Sequence, residues 1–212
     1  MRPFRAVTIA VFALLLASPA LAAGKGTTLF SIGLSNGTAD LYGPSGSNYI
    51  TAFSHSEIGV SARSWYYMNE DYAVTLDAAL GFFSETDKPG NGAATGASDE
   101  KYTQNSYSLR LGGDRMVKVG DRATFYFGPG LEYWVGKAKW DHLGPNTESE
   151  NVTRYSLSSR IGAMMNLTQT VSLGCNIGRK LGVATADDLG RKVMWWPSSF
   201  DATGGVIFKF GK

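Results

Sequence analysis

The triplet His55-Ser56-Glu57 is the first candidate for chemistry in this sequence, because a histidine, a hydroxyl and a carboxylate are the residue types of hydrolytic triads. The surrounding residues alternate like a strand, and successive residues of a strand point to opposite faces. His55 and Glu57 would then share one face while Ser56 lies on the other. We therefore interpret His55 as a rim residue and expect no catalytic site, with a hydrolytic enzyme as the alternative.

Eight charged residues fall on the polar face of alternating segments and could form an ion-selective constriction or a network of internal ion pairs. A turn near residues 69–71 would set Arg63 directly across from Asp77, and opposite charges across two strands are favourable neighbours. A lone buried charge is costly whereas a mutually paired set is tolerated, so we favour the network. Its predicted members are Arg63, Asp77, Arg110 and Arg160 near mid-height, Glu57, Glu132 and Arg154 higher in the barrel, and Asp114.

Composition excludes several classes of site. The chain of 212 residues has one cysteine, Cys175, and two histidines, His55 and His142, which excludes an internal disulfide and a multi-cysteine zinc site. We expect no metal and no cofactor. Without Arg2 and Arg5 of the predicted leader, the 20 basic residues become 18, equal to the 18 acidic ones. A chain without net positive charge lacks the electrostatic attraction to phosphates that drives nucleic-acid binding.

The N-terminal residues have the pattern of an export signal. Arg2 and Arg5 precede an apolar run over residues 7–17, and a small-x-small pattern ends at Ala22. The run is too short to span a bilayer as a helix. We predict cleavage between Ala22 and Ala23, which divides the chain into a signal peptide (1–22) and a single domain (23–212).

The rest of the sequence has the period of two that is typical of strands. One face of the repeat is large and apolar, as in Phe30, Ile32 and Leu34, while the other is rich in glycine, serine and paired charges. Such a polar face suits the narrow interior of a barrel. We predict eight strands over residues 27–35, 54–68, 72–83, 105–117, 122–135, 153–166, 170–178 and 201–210.

The connections between these segments alternate strictly in length. Short ones lie near residues 69–71, 118–121 and 167–169. Long polar ones follow the first, third, fifth and seventh segments, near residues 36–53, 84–104, 136–152 and 179–200. Outer-membrane barrels combine short periplasmic turns with longer external loops, and they place apolar residues outside and polar residues inside. The sequence therefore predicts an all-β, eight-stranded antiparallel up-and-down transmembrane barrel.

Two segments carry a resemblance to a known family. The run Tyr126-Phe127-Gly128-Pro129-Gly130-Leu131-Glu132-Tyr133 and the closing strand Val206-x-Phe208-x-Phe210 resemble strands of small outer-membrane barrels of the OmpA/OmpX type. The resemblance covers nearly the whole mature chain. It implies a monomer in the outer membrane of a Gram-negative bacterium, in contact with membrane lipids and lipopolysaccharide. It also implies that Phe208 and Phe210 are read by the barrel-assembly machinery.

For function, the resemblance implies an envelope-structural role or surface interaction with a host or other ligand through the long loops. A lipid A deacylase or acyltransferase and a small low-conductance pore are the alternatives. We interpret Trp195 and Trp196, in the last predicted loop, as a rim anchor or a recognition patch.

Two further expectations concern local structure. Aromatic residues near the ends of strands are typical of membrane-interface belts, and we assign Trp65, Tyr66, Tyr67, Tyr72, Tyr133 and Trp134 to such belts. Pro129 cannot donate to a strand ladder, so we expect a bulge or bend there.

Overall fold

The computed structural model describes residues 27–43, 51–87, 100–141, 147–148, 152–188 and 191–210. Within these ranges no helix is long and apolar enough to cross a membrane. The predicted leader and its cleavage site at Ala22 and Ala23 lie outside the described residues. The strands are β1 (Thr28–Gly43), β2 (Thr51–Tyr67), β3 (Tyr72–Asp87), β4 (Glu100–Val119), β5 (Ala123–Asp141), β6 (Thr147–Glu148), β7 (Val152–Asn166), β8 (Val171–Asp188), β9 (Arg191–Trp195) and β10 (Ser198–Phe210).

The strands form one closed antiparallel sheet. Each long strand pairs with the next, and β10 pairs with both β8 and β1. Strands β9 and β10 continue in one register along β8 and are separated only at Trp196 and Pro197. The Pro197 carbonyl still accepts a hydrogen bond from the Gly182 amide at 3.3 Å. Because β9 and β10 act as one strand and β6 only extends the edge of β5, the barrel has eight strands, as predicted.

Three short connections, over residues 68–71, 120–122 and 167–170, lie at one end of the barrel, which we call the turn end. The opposite end is the loop end. In the first turn the Asn69 side-chain oxygen accepts a hydrogen bond from the Tyr72 amide at 3.0 Å. In the third, the Thr168 hydroxyl accepts one from the Val171 amide at 3.0 Å. Such side-chain bonds to the backbone explain why these polar residues end the strands here.

Burial alternates along most of the barrel as the period of two predicts. From Val152 to Met164 in β7, every lumen-facing residue is buried and every outward-facing residue is exposed or half-buried. The exceptions include Phe30, Ala62 and Ala78, which lie on the outward face but are buried against one another. Leu157 is 61% exposed while Arg160, three residues later, is only 6% exposed. The outward residues form a broad apolar surface, which we call the apolar belt. Its members include Ile32, Leu34, Ile58, Leu111, Leu131, Leu157, Ile161, Ile177 and Leu181.

The strands are longer at the loop end than the sequence predicted. β1 continues to Gly43 instead of residue 35, and β8 continues to Asp188 instead of residue 178. The added residues of β1, 36–43, are mostly polar or small, so the hydrophobic alternation stops although the backbone ladder continues. In β8 the outward Arg179 interrupts the alternation, and the apolar face resumes at Leu181, which is 53% exposed. A break in the hydrophobic pattern therefore does not mark the end of a strand.

Pro129 lies at an interruption of the β4–β5 ladder. Gly112 pairs with Gly130 and Arg115 with Phe127, but the two positions between them are unpaired. The register is the same on either side of the gap, so no residue is inserted, and of the predicted bulge or bend the bulge is wrong. Pairing of β5 with β7 continues through Pro129. Because Pro129 has no amide N–H, the β4–β5 ladder is interrupted at this point, but the register of the two strands does not change.

The apolar belt yields a stability prediction. Replacing Leu111, which is 59% exposed in the middle of the belt, by arginine should lower the free energy of unfolding by about 2–4 kcal/mol, because a charge would face hydrocarbon. The measurement is urea unfolding of protein folded into lipid vesicles.

The matched control is Val119→Arg. Val119 is 52% exposed at the turn end of β4, where the bilayer interface solvates a charge and the expected cost is about 0–1 kcal/mol. Equal losses for the two variants would contradict the assignment of the belt.

Candidate functional site

Asp77 on β3 is the centre of the lower part of the lumen. Arg63 on β2 pairs with it directly across the ladder, with Nε 2.5 Å from Oδ1. Arg110 on β4 places Nη1 3.1 Å from Oδ2, and Arg160 reaches across the barrel from β7 to place Nη1 2.5 Å from the same oxygen. One carboxylate thus connects guanidinium groups from three strands.

Asp114 is the second acid of this lower tier. Its side chain is fully enclosed, and Arg160 Nη2 lies 2.6 Å from its Oδ2. The Trp65 indole donates a hydrogen bond to the same oxygen at 3.0 Å. Because Arg160 binds both Asp114 and Asp77, it joins the two carboxylates into one network, and hydrogen bonds that involve charged groups are the stronger ones.

A second tier of charges lies nearer the loop end. Glu132 on β5 accepts a hydrogen bond from Arg154 Nη2 at 3.4 Å and is 2.7 Å from Lys180 Nζ. Lys180 also lies 3.8 Å from Asp201 on β10. Glu57 accepts a hydrogen bond from the Ser106 hydroxyl on β4. Seven of the eight predicted residues thus form ion pairs, and Glu57 is held by a hydroxyl.

Lys180 and Asp201 are members of the network that the sequence analysis missed. Lys180 shares the inward face of β8 with Asn176 and Gly178, but it lies two residues beyond the segment that was marked. Asp201 is the first residue of the last predicted strand, and its parity places it on the same inward face as Thr203 and Gly205. Extending the alternation of β8 towards the loop end finds Lys180, and applying parity to the first residue of the last strand finds Asp201.

Small residues make room for the lower tier. A Cβ on Gly130 would lie 2.5 Å from the Arg110 guanidinium carbon, and one on Gly112 would lie 2.7 Å from Arg110 Nη1. The guanidinium therefore lies flat against the wall formed by these two glycines. A narrow barrel can hold large charged side chains only where the wall residues beneath them have no side chain. This requirement explains part of the high glycine content.

An apolar cluster fills the lumen at the turn end. Trp65 and Tyr126 pack edge to face, with ring centroids 5.8 Å apart and planes at 79°. We call this cluster the floor. Its buried members are Leu29, Trp65, Ala73, Met116, Tyr126, Met164 and Ile207.

The floor corrects the aromatic assignment made from sequence. Trp65 and Trp134 are only 1% and 4% exposed, because their positions share the inward face with Arg63 and Glu132 respectively. Tyr67 packs partly against the floor. The belt assignment is therefore wrong for these three residues, whereas Tyr66, Tyr72 and Tyr133 are 37%, 50% and 43% exposed. Strand parity predicts which side of the barrel an aromatic residue faces better than its nearness to the end of a strand.

The space that remains between the lumen side chains is a cavity of about 100 Å³. A cavity of this size holds a few water molecules at most. In the part of the chain that the structure describes, no group of three or more histidine, cysteine, aspartate or glutamate side chains could hold a metal ion. The described lumen is thus a packed polar core between a charged upper tier and an apolar floor.

The remaining candidate residues are described only in part. The backbone of His55 pairs with Ala39 near the loop end, and its side chain and His142 lie outside the described residues. Trp195 ends β9 and Trp196 is 77% exposed beside it, so both lie at the break in the eighth strand and not in a loop as predicted. Phe208 and Phe210 are 38% and 45% exposed on β10.

Comparison with known proteins identifies the architecture. A family model described as outer membrane protein beta-barrel domain matches residues 8–192. No curated protein sequence matches significantly.

Two solved structures share the fold. One is Ail, the attachment invasion locus protein of Yersinia pestis, in complex with the heparin analogue sucrose octasulfate; it is 14% identical, with a TM-score of 0.53 over 88% of this chain and 99% of that chain. The other is the outer membrane protein OprG from Pseudomonas aeruginosa, 13% identical, with a TM-score of 0.53 over 88% of this chain and 97% of that chain.

The shared carboxylate of Asp77 yields the second stability prediction. Asp77→Asn should lower the free energy of unfolding by about 3–5 kcal/mol, because it leaves buried guanidinium groups without their counter-charge. Urea unfolding in vesicles measures the change.

Glu70→Gln is the matched control, since Glu70 pairs with Lys118 at 3.3 Å but both side chains are well exposed. An exposed pair contributes only about 0–1 kcal/mol. A loss for Asp77→Asn no larger than for Glu70→Gln would show that the network adds nothing to stability.

Proposed function

The chain belongs to the outer membrane protein beta-barrel domain family, and from that premise we propose that it is a non-enzymatic barrel with a closed lumen that presents its loop-end hairpins at the cell surface. The observation that carries the proposal is the bridging of Arg63, Arg110 and Arg160 by Asp77 across the lumen. Because these lumen side chains bind one another, they fill the barrel as a packed core. The outside of the barrel and its loop end then remain as the surface for interaction.

The packing of the lumen supports a barrel without a solute path. An ion would have to pass the upper tier of Glu132, Arg154 and Lys180, then the guanidinium groups around Asp77, and then the apolar floor. Separating a buried ion pair is strongly unfavourable. The buried floor is mostly apolar, and its polar groups, the Tyr126 hydroxyl and the Trp65 indole N–H, are already bonded to Arg63 and Asp114. Passage therefore requires several lumen side chains to move together.

The loop-end strands support a role at the surface. On β3 the last strongly exposed apolar residue is Phe82, at 53%, yet pairing with β4 continues to Asp87 and Glu100. Five further residues add roughly 16 Å of strand. The β1–β2 ladder likewise continues to Gly43 and Thr51. Paired hairpins that project beyond the apolar belt are rigid supports for the segments that join them.

Electrical recording tests the closed lumen. Wild-type protein in planar bilayers should carry no steady ohmic current. The double variant Trp65→Ala/Tyr126→Ala, which removes most of the floor, should conduct measurably or flicker open. Tyr66→Ala/Tyr133→Ala changes two outward rings and is the control that should stay silent. Steady ohmic current from the wild type would defeat the proposal.

Binding assays test the surface role. Replacing residues 88–99 by a two-residue Asn-Gly turn should leave the barrel folded, because the β3–β4 ladder closes just below them and Asn-Gly favours tight hairpins. Cells that express wild-type protein should adhere to at least one of a panel of immobilised host matrix proteins and heparin, the last chosen because Ail is described with a heparin analogue. The shortened variant should adhere several-fold less.

Two results would contradict this role. One is equal adhesion by cells with and without the wild-type protein across the whole panel. The other is a change in the lipid A acyl pattern on expression, measured by mass spectrometry, which would favour the enzymatic alternative.

A further inference from the structure

Arg179 is a charged residue on the outward face of β8, within the apolar belt. Its neighbours on the same face are Ile177 below and Leu181 above, which are 62% and 53% exposed. Arg179 itself is exposed, and its guanidinium lies over the Phe200 ring at 5.4 Å from the centroid. The belt thus surrounds a cation with apolar side chains.

The charge of Arg179 is not balanced by the protein within the described residues. The lumen arginines Arg63, Arg110, Arg154 and Arg160 each pair with a carboxylate, whereas no described carboxylate pairs with Arg179. A charged side chain that faces lipid is costly unless a counter-charge or the bilayer interface compensates it. An anionic group from the membrane would supply that compensation.

The position of Arg179 along β8 indicates which leaflet of the membrane it faces. It lies eight residues beyond Val171, the first residue of β8. With about 3.3 Å per residue and a strand tilt of roughly 40°, it stands roughly 20 Å above the turn end of a belt about 25 Å tall. Short turns face the periplasm in such barrels. Arg179 therefore lies in the outer half of the membrane, near the headgroups of the external leaflet.

An apolar groove of about 700 Å³ runs below Arg179 on the same side of the barrel. Its base is a row of small residues that pair across three strands, Ala163 on β7, Cys175 on β8 and Gly204 on β10. Ile161 and Ile177 form part of its rim. Because the base lies four residues nearer the turn end than Arg179, a lipid with its headgroup at Arg179 would direct its acyl chains into the groove.

We propose that Arg179 and this groove form a binding site for lipid A, the phosphorylated glycolipid of the external leaflet, with a phosphate at the guanidinium and an acyl chain over the Ala163–Cys175–Gly204 row. Guanidinium groups bind phosphate with two parallel hydrogen bonds. The exposed Ser159 pairs with Arg179 across β7 and β8 and offers a further hydroxyl donor. This site is independent of the hairpins and of the closed lumen.

Native mass spectrometry of the full, folded protein in detergent micelles tests the site. The lipids are bis-phosphorylated lipid A, the same lipid A with its phosphates removed, and phosphatidylglycerol. Wild-type protein should retain one bis-phosphorylated lipid A more strongly than either of the others. Arg179→Gln should lower the retained fraction on the order of tenfold, since a charge-assisted pair is lost.

Two further variants complete the design. Arg115→Gln removes another exposed outward arginine, one that pairs with Tyr72 near the turn end, and it should retain lipid A like the wild type. Gly204→Leu fills the groove; a Cβ there has no atom closer than 4.0 Å, so the barrel should fold and retention should fall several-fold. Heat-modifiable migration on a gel verifies that each variant is folded.

Several results would overturn the proposal. Retention by Arg179→Gln equal to that of the wild type would remove the phosphate contact, and an equal loss in Arg115→Gln would show non-specific charge attraction. Equal retention of phosphate-free lipid A would do the same. Equal retention of phosphatidylglycerol would overturn the assignment to lipid A, because any lipid phosphate would then suffice.

Discussion

The structure depends on one constraint: in hydrocarbon, every backbone N–H and C=O group must find its partner within the protein. The pairing of β10 with β1 meets it by removing the last free edge of the sheet. Closure with eight strands leaves an interior just wide enough for side chains. The inward residues must then satisfy one another, and the paired charges around Asp77 and Glu132 are how this chain does so.

The two tiers of lumen charge depend on each other. The lower tier has three cations, Arg63, Arg110 and Arg160, but two anions, Asp77 and Asp114. Among the described residues the upper tier has the opposite surplus, because three anions, Glu57, Glu132 and Asp201, stand with two cations, Arg154 and Lys180. Together the tiers are neutral. The net positive charge of the lower tier is balanced by the net negative charge of the upper tier. Moving one tier alone would therefore leave uncompensated charge in the lumen.

Much of this arrangement could be predicted from sequence because parity and turn position are local. The first short turn sets Arg63 opposite Asp77, and the period of two separates Leu157 from Arg160. The contact of Arg160 with Asp77 could not be predicted, because it spans the lumen and depends on the tilt of the strands. The belt assignment is wrong for Trp65 and Trp134 because it rests on their nearness to the ends of strands and not on strand parity. The predicted strands end too early at the loop end, because mostly polar or small residues follow in β1 and Arg179 interrupts the apolar face of β8.

The contrast between the inside and the outside of the barrel indicates where function lies. Inside, arginines are paired with carboxylates and lie against glycines that leave room for them, as Arg110 does over Gly130. Outside, Arg179 stands between Ile177 and Leu181 with an aromatic ring as its described contact. Arg179 has no carboxylate partner among the described residues, and it lies near the headgroups of the external leaflet. A lipid phosphate is the counter-charge that this position offers, and it is the ligand that we propose for Arg179.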